Sequence, residues 1–423
     1  MSEQNQAIII GGGIAGISSA LSLAENGYHV HIIEKMGSVG GHAMQFCCKA
    51  TEQCNNCGVC LAKERIKKVS NHPNIHILTQ AEVVDLKGDV PDFQVEVLKK
   101  PRFIDFQKCT ACSLCYQNCP IAEEAIERPY LYSVPNTFSI KKDKCLHFQK
   151  GKGCNICEES CPTGAIEFDQ KEERINMRAS AIILANGFKV YDAREKGYLG
   201  YNKFSEVISG LDLEKSLLME GGKNFPIVPS DKKLRIAFIQ CVGSRDPHIG
   251  HDYCSRVCCK YATRMGAKIK SRFNDVDLTI FYIDLQKTER ESLNLIKSLQ
   301  DDIHFIKGLP VEIEKDRDSG VSMRYENIDR GCFEKSDFDL VVLSVGICPS
   351  PDNRSLAELL GIRIGQNGFF ASPDLIDSTV SSRKGIFLAG TCQGPKNILE
   401  SISHGREAAL RTLALIKGPK GNI

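Results

Sequence analysis

Twenty cysteines stand in a chain of 423 residues, and seventeen of them fall into three groups, at 47–60, 109–161 and 241–259. Dispersed core thiols do not gather in this way. Clustered thiols in a chain without export features bind metal or carry electrons. The run Cys109-x2-Cys112-x2-Cys115-x3-Cys119-Pro120 has the spacing at which three thiolates grip one [4Fe–4S] cubane and a fourth, before proline, reaches another. A second run, Cys145-x8-Cys154-x2-Cys157-x3-Cys161-Pro162, repeats the layout with a longer first gap filled by Leu146–Gly153. Crossed ligation assigns Cys109, Cys112, Cys115 and Cys161 to one cluster. Cys119, Cys145, Cys154 and Cys157 fall to the other. Two tetrahedral zinc sites would leave the paired Cys-Pro steps unexplained.

The group Cys241-x12-Cys254-x3-Cys258-Cys259 offers four more thiols, enough for a further cubane. Adjacent Cys258 and Cys259 fit poorly as two ligands on one regular helix, so local distortion is expected. Zinc or a buried thiol group is the alternative. Cys54-x2-Cys57-x2-Cys60 also has cluster spacing, with Cys48 or Cys47 as the fourth ligand, against zinc or a reactive dithiol. Cys332, Cys348 and Cys392 stand alone and read as packing residues. His42, His147, His251 and His404 lie near motifs and read as hydrogen-bonded structural residues.

A second chemistry sits at the N-terminus. The apolar run Ala7–Ile10 leads into Gly11-x-Gly13-Ile14-Ala15-Gly16, then a helical stretch to about Asn26 and a strand His29–Glu34. In this pattern the first glycine permits the turn, the second admits a pyrophosphate, and the third lets helix and strand pack. Phosphates then face the free N–H groups of the helix start, and Glu34, followed by Lys35, can accept from a ribose hydroxyl. Three features select FAD over NAD. Gly40-Gly41 follows the second strand. Ile182–Gly187, containing Ala185, Asn186 and Gly187, resembles the A-T-G turn of two-dinucleotide flavoproteins, with Asn in place of Thr. Gly385–Thr391 resembles their C-terminal flavin motif, in which Thr391 after Gly390 stands where Asp is usual. The closing helix begins near Gly394, Pro395, Lys396 and Ile398, so its positive end and Lys396 can face the reduced pyrimidine ring.

The elements that must position these residues form a βαβ opening and hence a parallel sheet. Further strands are expected at Ala179–Ala185, Leu234–Gln240, Leu278–Ile283, Met323–Asn327, Phe338–Val345 and Gly385–Ala389. Helices are expected near 290–300 and over Asn397–Ile416. A polar stretch runs to about Lys233, and the tail Lys417–Ile423 reads as loose. Where a nicotinamide-binding turn would follow Gln240, the chain has Cys241-Val242-Gly243-Ser244-Arg245 and no glycine fingerprint. Hydrophobic residues make up 42% and charged residues 25%, with net charge +2, so nothing calls for nucleic acid. No apolar run reaches the roughly 18 residues of a membrane span, and the first residues lack a signal-peptide layout. A cytoplasmic protein is expected.

Together these motifs resemble the A subunit of heterodisulfide reductase and its bacterial relatives. The resemblance rests on Gly11–Gly16, Gly40-Gly41-His42 before a cysteine segment, the two-cluster module, the group at Cys241–Cys259, and Ala389–Lys396. It implies an α/β fold of the thioredoxin-reductase-like, two-dinucleotide-binding flavoprotein class, holding one FAD, with an inserted bacterial-type ferredoxin domain carrying two [4Fe–4S] clusters. The FAD domain would comprise 1–105, 166–205 and 336–423, the ferredoxin insert 106–165, and a modified NAD-domain-like unit 206–335. The implied function is electron transfer within a multisubunit redox complex, extending to flavin-based bifurcation. Implied partners are B- and C-like subunits, a ferredoxin, a hydrogenase or an NADH-oxidising subunit, with the chain a homodimer. Three other readings fit the motifs: an NAD(P)H-dependent oxidoreductase resembling the glutamate synthase small subunit, a thiol–disulfide reductase using Cys54 and Cys57, and a non-enzymatic cluster scaffold. No single catalytic residue emerges.

Overall fold

The computed structural model describes residues 5–149, 153–218, 233–273, 275–286, 290–316, 320–374 and 376–417. Residues 219–232 of the polar stretch ending near Lys233, residues 150–152 of the Leu146–Gly153 gap and the tail after Lys417 lie outside these residues.

Alternation along the first strand explains the layering. In Gln6–Ile10, Ala7 and Ile9 point to one face and Ile8 and Ile10 to the other, and all four are buried. The strand lies at the centre of a parallel sheet ordered Ile386–Leu388, Ala181–Leu184, Gln6–Ile10, His29–Ile33, Ile75–Leu78. Ala7 and Ile9 pack under the helices Ile14–Ala24, Val59–Ser70 and Ile398–Lys417. Ile8 and Ile10 pack on an antiparallel sheet of Ala81–Lys87, Phe93–Lys99 and Glu173–Ala179.

The same three layers recur in the second unit. Its parallel sheet is ordered Val207–Ser209, Leu340–Val345, Leu234–Val242, Val276–Tyr282, Ile303–Lys307. Helices Gly210–Leu218 and Cys258–Arg272 cover one face, and the antiparallel strands Pro310–Lys315, Val321–Asn327 and Cys332–Phe338 cover the other. The antiparallel pair Phe188–Val190 and Ile347–Pro349 joins the units.

Two expected strands are each split. The run Ala179–Ala185 serves two sheets: Glu173–Ala179 ends in the antiparallel layer, Ser180 N–H donates to Gln6 O, and Ala181–Leu184 enters the parallel one. Phe338–Val345 splits in the same way at Asp339, whose carboxylate accepts from Arg235 N–H at 2.7 Å. Apolarity marks burial but not which layer does the burying, so each run reads as continuous. The third strand, Leu234–Val242, runs past Gln240 and shifts register between Ile239 and Val242, where Cys241 takes φ +59°.

Between the paired strands Phe93–Lys99 and Glu173–Ala179 the chain makes a separate small core. Phe103, Ile104, Phe138, Ile140 and Ile166 pack there with Cys115, Cys145 and Cys157. Its short helices are Leu114–Gln117, Ala122–Ala125 and Ile156–Glu159. No helix among the described residues is long and apolar enough to cross a membrane.

Candidate functional site

The glycine turn is built as its spacing implies. A Cβ on Gly11, at φ +107°, would lie 2.3 Å from Ala185 O, and one on Gly16 would lie 2.0 Å from Gly11 O. A Cβ on Gly13 would meet nothing within 4 Å, because that residue faces a cleft of about 780 Å³. Gly13 caps the helix Ile14–Ala24 with no side-chain hydrogen bond, so the N–H groups of the first turn lack a side-chain acceptor there. The cleft is lined by Ile14, Ala15, Glu34, Lys35, Gly41, His42, Ala185, Asn186, Gly187, Thr391, Lys396 and Ile398. Gly16, Gly40 and Gly390 lie behind the wall: added Cβ atoms there would strike Gly11 O, Met44 and Ala15. Gly394 and Pro395 do not line the cleft, although Pro395 O accepts from Arg256.

Glu34 is 9% exposed; its Oε2 accepts from Gly12 N–H at 2.7 Å and its Oε1 from Met36 N–H at 2.8 Å. Burial raises its pKa against these two donors. Lys35 pairs with Asp352 at 2.9 Å. Asn186 donates to Asn353 while its own Oδ1 is buried with no donor, an orphaned acceptor in the cleft wall. His42 Nε2 bonds Phe188 O at 3.1 Å, and burial lowers its pKa. Lys396 donates to Gln393 Oε1 at 2.6 Å, and burial lowers its pKa. This cradle fits a dinucleotide.

His404 braces Gly390 behind the cleft wall. Gly390 N–H donates to its Nδ1 at 2.9 Å, so Nε2 carries the proton toward Ser378 Oγ, also at 2.9 Å. Burial, and then Lys396, drive its pKa down to about 4. The unfolded chain takes up a proton below about pH 6.5 that the folded chain refuses until about pH 4. The resulting stability is complete above about 6.5 and is lost as pH falls through that window, up to about 3 kcal/mol. Urea melts of His404→Gln should therefore show a flatter dependence on pH across this range than the parent chain. An unchanged slope would contradict the assignment.

In the small core, Cys115 is pushed up to about 11 by burial and then by the neighbouring charges of Cys109, Cys112 and Cys161. Cys157 reaches about 12 from burial, then from Cys145, Cys119, Cys115 and Cys154. The thiols acting on Cys115 all come from its own crossed set, whereas Cys157 feels Cys115 across from the other set as well as three thiols of its own. Cys119, Cys145, Cys154 and Cys157 also line one hollow together. Ala165 N–H donates to Cys161 Sγ at 3.3 Å. Among the described residues no three His, Cys, Asp or Glu side chains form a single-ion site. A cubane takes four thiolates, one for each iron, and each of these sets supplies four.

Cys241, Cys258 and Cys259 are buried, and Cys254 is half-buried. Cys258 and Cys259 open the helix Cys258–Arg272, and Cys241 sits in the strand's register shift. The distortion expected at the adjacent pair is not found there, since both residues open a regular helix; the positive φ values lie instead at Cys241, Arg245 and Arg256. Cys258 is raised by its bond to Cys241, by burial and by the other thiols of the group. Arg256 N–H donates to Cys254 Sγ at 3.3 Å. Next to Cys241, Gln240 is 1% exposed and neither amide atom has a partner; Ser244 Oγ is orphaned as well. Two of these atoms, Gln240 Nε2 and Ser244 Oγ, are donors of the kind that cluster sulfides accept.

In the N-terminal group, Cys57 lines the large cleft, while Cys48, Cys54 and Cys60 are exposed. Cys47 is buried in the core of the second unit, its Sγ 3.9 Å from Met265 Sδ. Cys348 and Cys392 are buried as packing residues, whereas Cys332 is exposed on its strand, contrary to the sequence expectation. Sequence reasoning missed a buried pair in the cleft wall: Lys49 Nζ lies 2.5 Å from Glu214 Oε1, with the two side chains 4% and 5% exposed. Lys260 and Arg264 also line the cleft. The signal available was an i, i+4 basic pair following Cys259.

A model of NAD(P)-binding Rossmann-like domains matches residues 9–62. Thioredoxin reductase of T. acidophilum has the same fold, with TM-score 0.53 and 16% identity over 96% of this chain and 98% of that one. The Lactococcus lactis thioredoxin reductase matches at TM-score 0.53 and 14% identity, covering 98% and 99%. In sequence, the second iron–sulfur A subunit of CoB–CoM heterodisulfide reductase in Methanopyrus kandleri is 40% identical over 96% of this chain and 64% of that protein. The A subunit of the H2:CoB-CoM heterodisulfide, ferredoxin reductase of Methanothermobacter thermautotrophicus is 35% identical over 99% and 65%. In sequence, the chain is similar to heterodisulfide reductase A subunits over nearly its whole length. It spans a little under two thirds of the length of these A subunits, and its fold is that of thioredoxin reductase.

Proposed function

We propose that the chain transfers electrons within a heterodisulfide-reductase-like complex, carrying one FAD and several [4Fe–4S] clusters. The observation that carries this is the meeting of a dinucleotide cleft with three sets of four thiols in one chain related to A subunits. Bound flavin supplies chemistry in one- or two-electron units, and each cubane in single electrons.

The chain's own residues do the holding and tuning. Gly11 and Gly13 bring backbone to the pyrophosphate, Glu34 takes the ribose, and Thr391 with Lys396 faces the ring end. Cys109, Cys112, Cys115 and Cys161 hold one cluster; Cys119, Cys145, Cys154 and Cys157 hold a second; Cys241, Cys254, Cys258 and Cys259 hold a third. Cys48, Cys54, Cys57 and Cys60 are the candidate for a fourth. The flavin domain comprises 1–105, 166–205 and 336–423, the ferredoxin insert 106–165, and the cluster-bearing α/β unit 206–335. The complex includes B- and C-like subunits and a ferredoxin, hydrogenase or NADH-oxidising donor. The chain works as a homodimer in the cytoplasm, with flavin-based bifurcation as the extended form of its activity.

Electrons enter through a partner protein, because the turn after Gln240 holds a thiol set where a nicotinamide phosphate would need glycines. Under exclusion of oxygen, NADH or NADPH added to the purified chain alone should leave the flavin absorbance unchanged over minutes. Bleaching within seconds would overturn this reading in favour of a self-sufficient NAD(P)H oxidoreductase.

A further inference from the structure

The loop Cys54–Cys60 repeats the backbone of the loop Cys109–Cys115, although the two belong to different parts of the fold. In both, three cysteines stand three residues apart. In both, the second and fourth residues after the first cysteine are left-handed: Ala111 and Ser113 at φ +56° and +70°, Asn56 and Gly58 at +47° and +79°. A helix begins on the fifth residue in each, Leu114–Gln117 in one and Val59–Ser70 in the other. Left-handed geometry at Ala111, Ser113 and Asn56 costs about 1–2 kcal/mol per residue and persists only where its surroundings impose it. Its effect is to turn successive backbone N–H groups inward, making a concavity for an anion. A cubane held by four thiolates is such an anion.

We infer that Cys48, Cys54, Cys57 and Cys60 bind a [4Fe–4S] cluster of their own, at the place where the flavin cleft meets a second cleft in front of Cys259. This rests on the flavin and iron–sulfur reading above and adds a site to it. Cys48 closes the set because Cys47 is committed elsewhere: its N–H donates to Glu214 at 2.9 Å and its thiol is buried against Met265. Position follows from the walls. Cys57 lines the flavin cleft, Cys54 and Cys259 line a cleft of about 350 Å³, and Lys260 and Arg264 line both. The cluster therefore stands beside the flavin and faces the Cys241–Cys259 group. With Cys48, Cys54 and Cys60 exposed, it also lies open to solvent.

The test is iron and flavin per chain after anaerobic reconstitution of the full chain and of Cys48→Ser, Cys54→Ser, Cys60→Ser and Cys47→Ser. The parent and Cys47→Ser should hold about sixteen irons, and each of the other three about twelve, all with one flavin. Exposed positions tolerate serine, and retained flavin reports an intact fold. In the dithionite-reduced parent, the electron paramagnetic resonance of the Cys241–Cys259 cluster should carry a spin–spin broadening that Cys54→Ser removes. About twelve irons in the parent, unchanged in the variants, would overturn this inference and leave the flavin and three-cluster reading standing. So would zinc in place of four irons, an iron loss in Cys47→Ser but not Cys48→Ser, or an unchanged resonance in Cys54→Ser. A chain without iron would overturn both.

Discussion

Gly13→Ala should strip the chain of flavin while leaving the apoprotein as stable as the parent. The backbone at Gly13, φ −74° and ψ −179°, is open to any residue, and the added methyl meets no protein atom within 4 Å. It projects instead into the cleft where a pyrophosphate must approach the helix start. Crowding of this kind costs roughly 1–3 kcal/mol, about a 5- to 150-fold loss of affinity. Gly16→Ala makes the contrast. Its methyl would lie 2.0 Å from Gly11 O, so helix and strand must separate and the apoprotein itself should melt earlier. Thermal melting of the apo chains and flavin titration by fluorescence separate the two effects. Equal flavin affinity in Gly13→Ala and the parent would remove the cleft as the cofactor site.

Lys49→Met should be among the most damaging single substitutions away from the cysteines. Lys49 and Glu214 are both buried; burial opposes the charge on Lys49, and Glu214 outweighs it, so its pKa is raised. Glu214 also accepts from Cys47 N–H, and Lys49 donates to Cys47 O at 3.2 Å. The pair thus fastens the cysteine-bearing segment to the helix Gly210–Leu218 at the cleft wall. Removing one partner leaves a buried charge unmatched, at a cost of about 3–5 kcal/mol. Replacing both, Lys49→Met with Glu214→Leu, should recover much of that loss, because the desolvation penalty leaves with the charges. Urea melts of the two single variants and the double give the coupling. If the double variant is as unstable as the sum of the singles, the pair is not acting as a unit.

The sequence was most legible where chemistry is local. An added Cβ strikes backbone at Gly11 and Gly16 but meets nothing at Gly13, in keeping with their spacing, and Cys115 lies among Cys109, Cys112 and Cys161. Legibility fell where a residue's meaning depends on a distant partner. Nothing near Lys49 announces Glu214, which lies far along the chain in the second unit. The apolar runs through Ser180 and Asp339 looked continuous because burial is similar in both layers they visit. The strands Ala81–Lys87 and Phe93–Lys99 went unread, although Phe93, Val95 and Val97 alternate with polar residues as a half-buried strand must. The packing of Cys47 against Met265, and its N–H bond to Glu214, likewise depend on residues far along the chain.

Electrons pass between flavin and clusters within this chain only if it holds both. The most direct test is the count of flavin, iron and acid-labile sulfide per chain, purified under strict exclusion of oxygen. One flavin is expected, with at least about twelve irons and matching sulfide. A colourless chain without iron, releasing no flavin on denaturation, would contradict it.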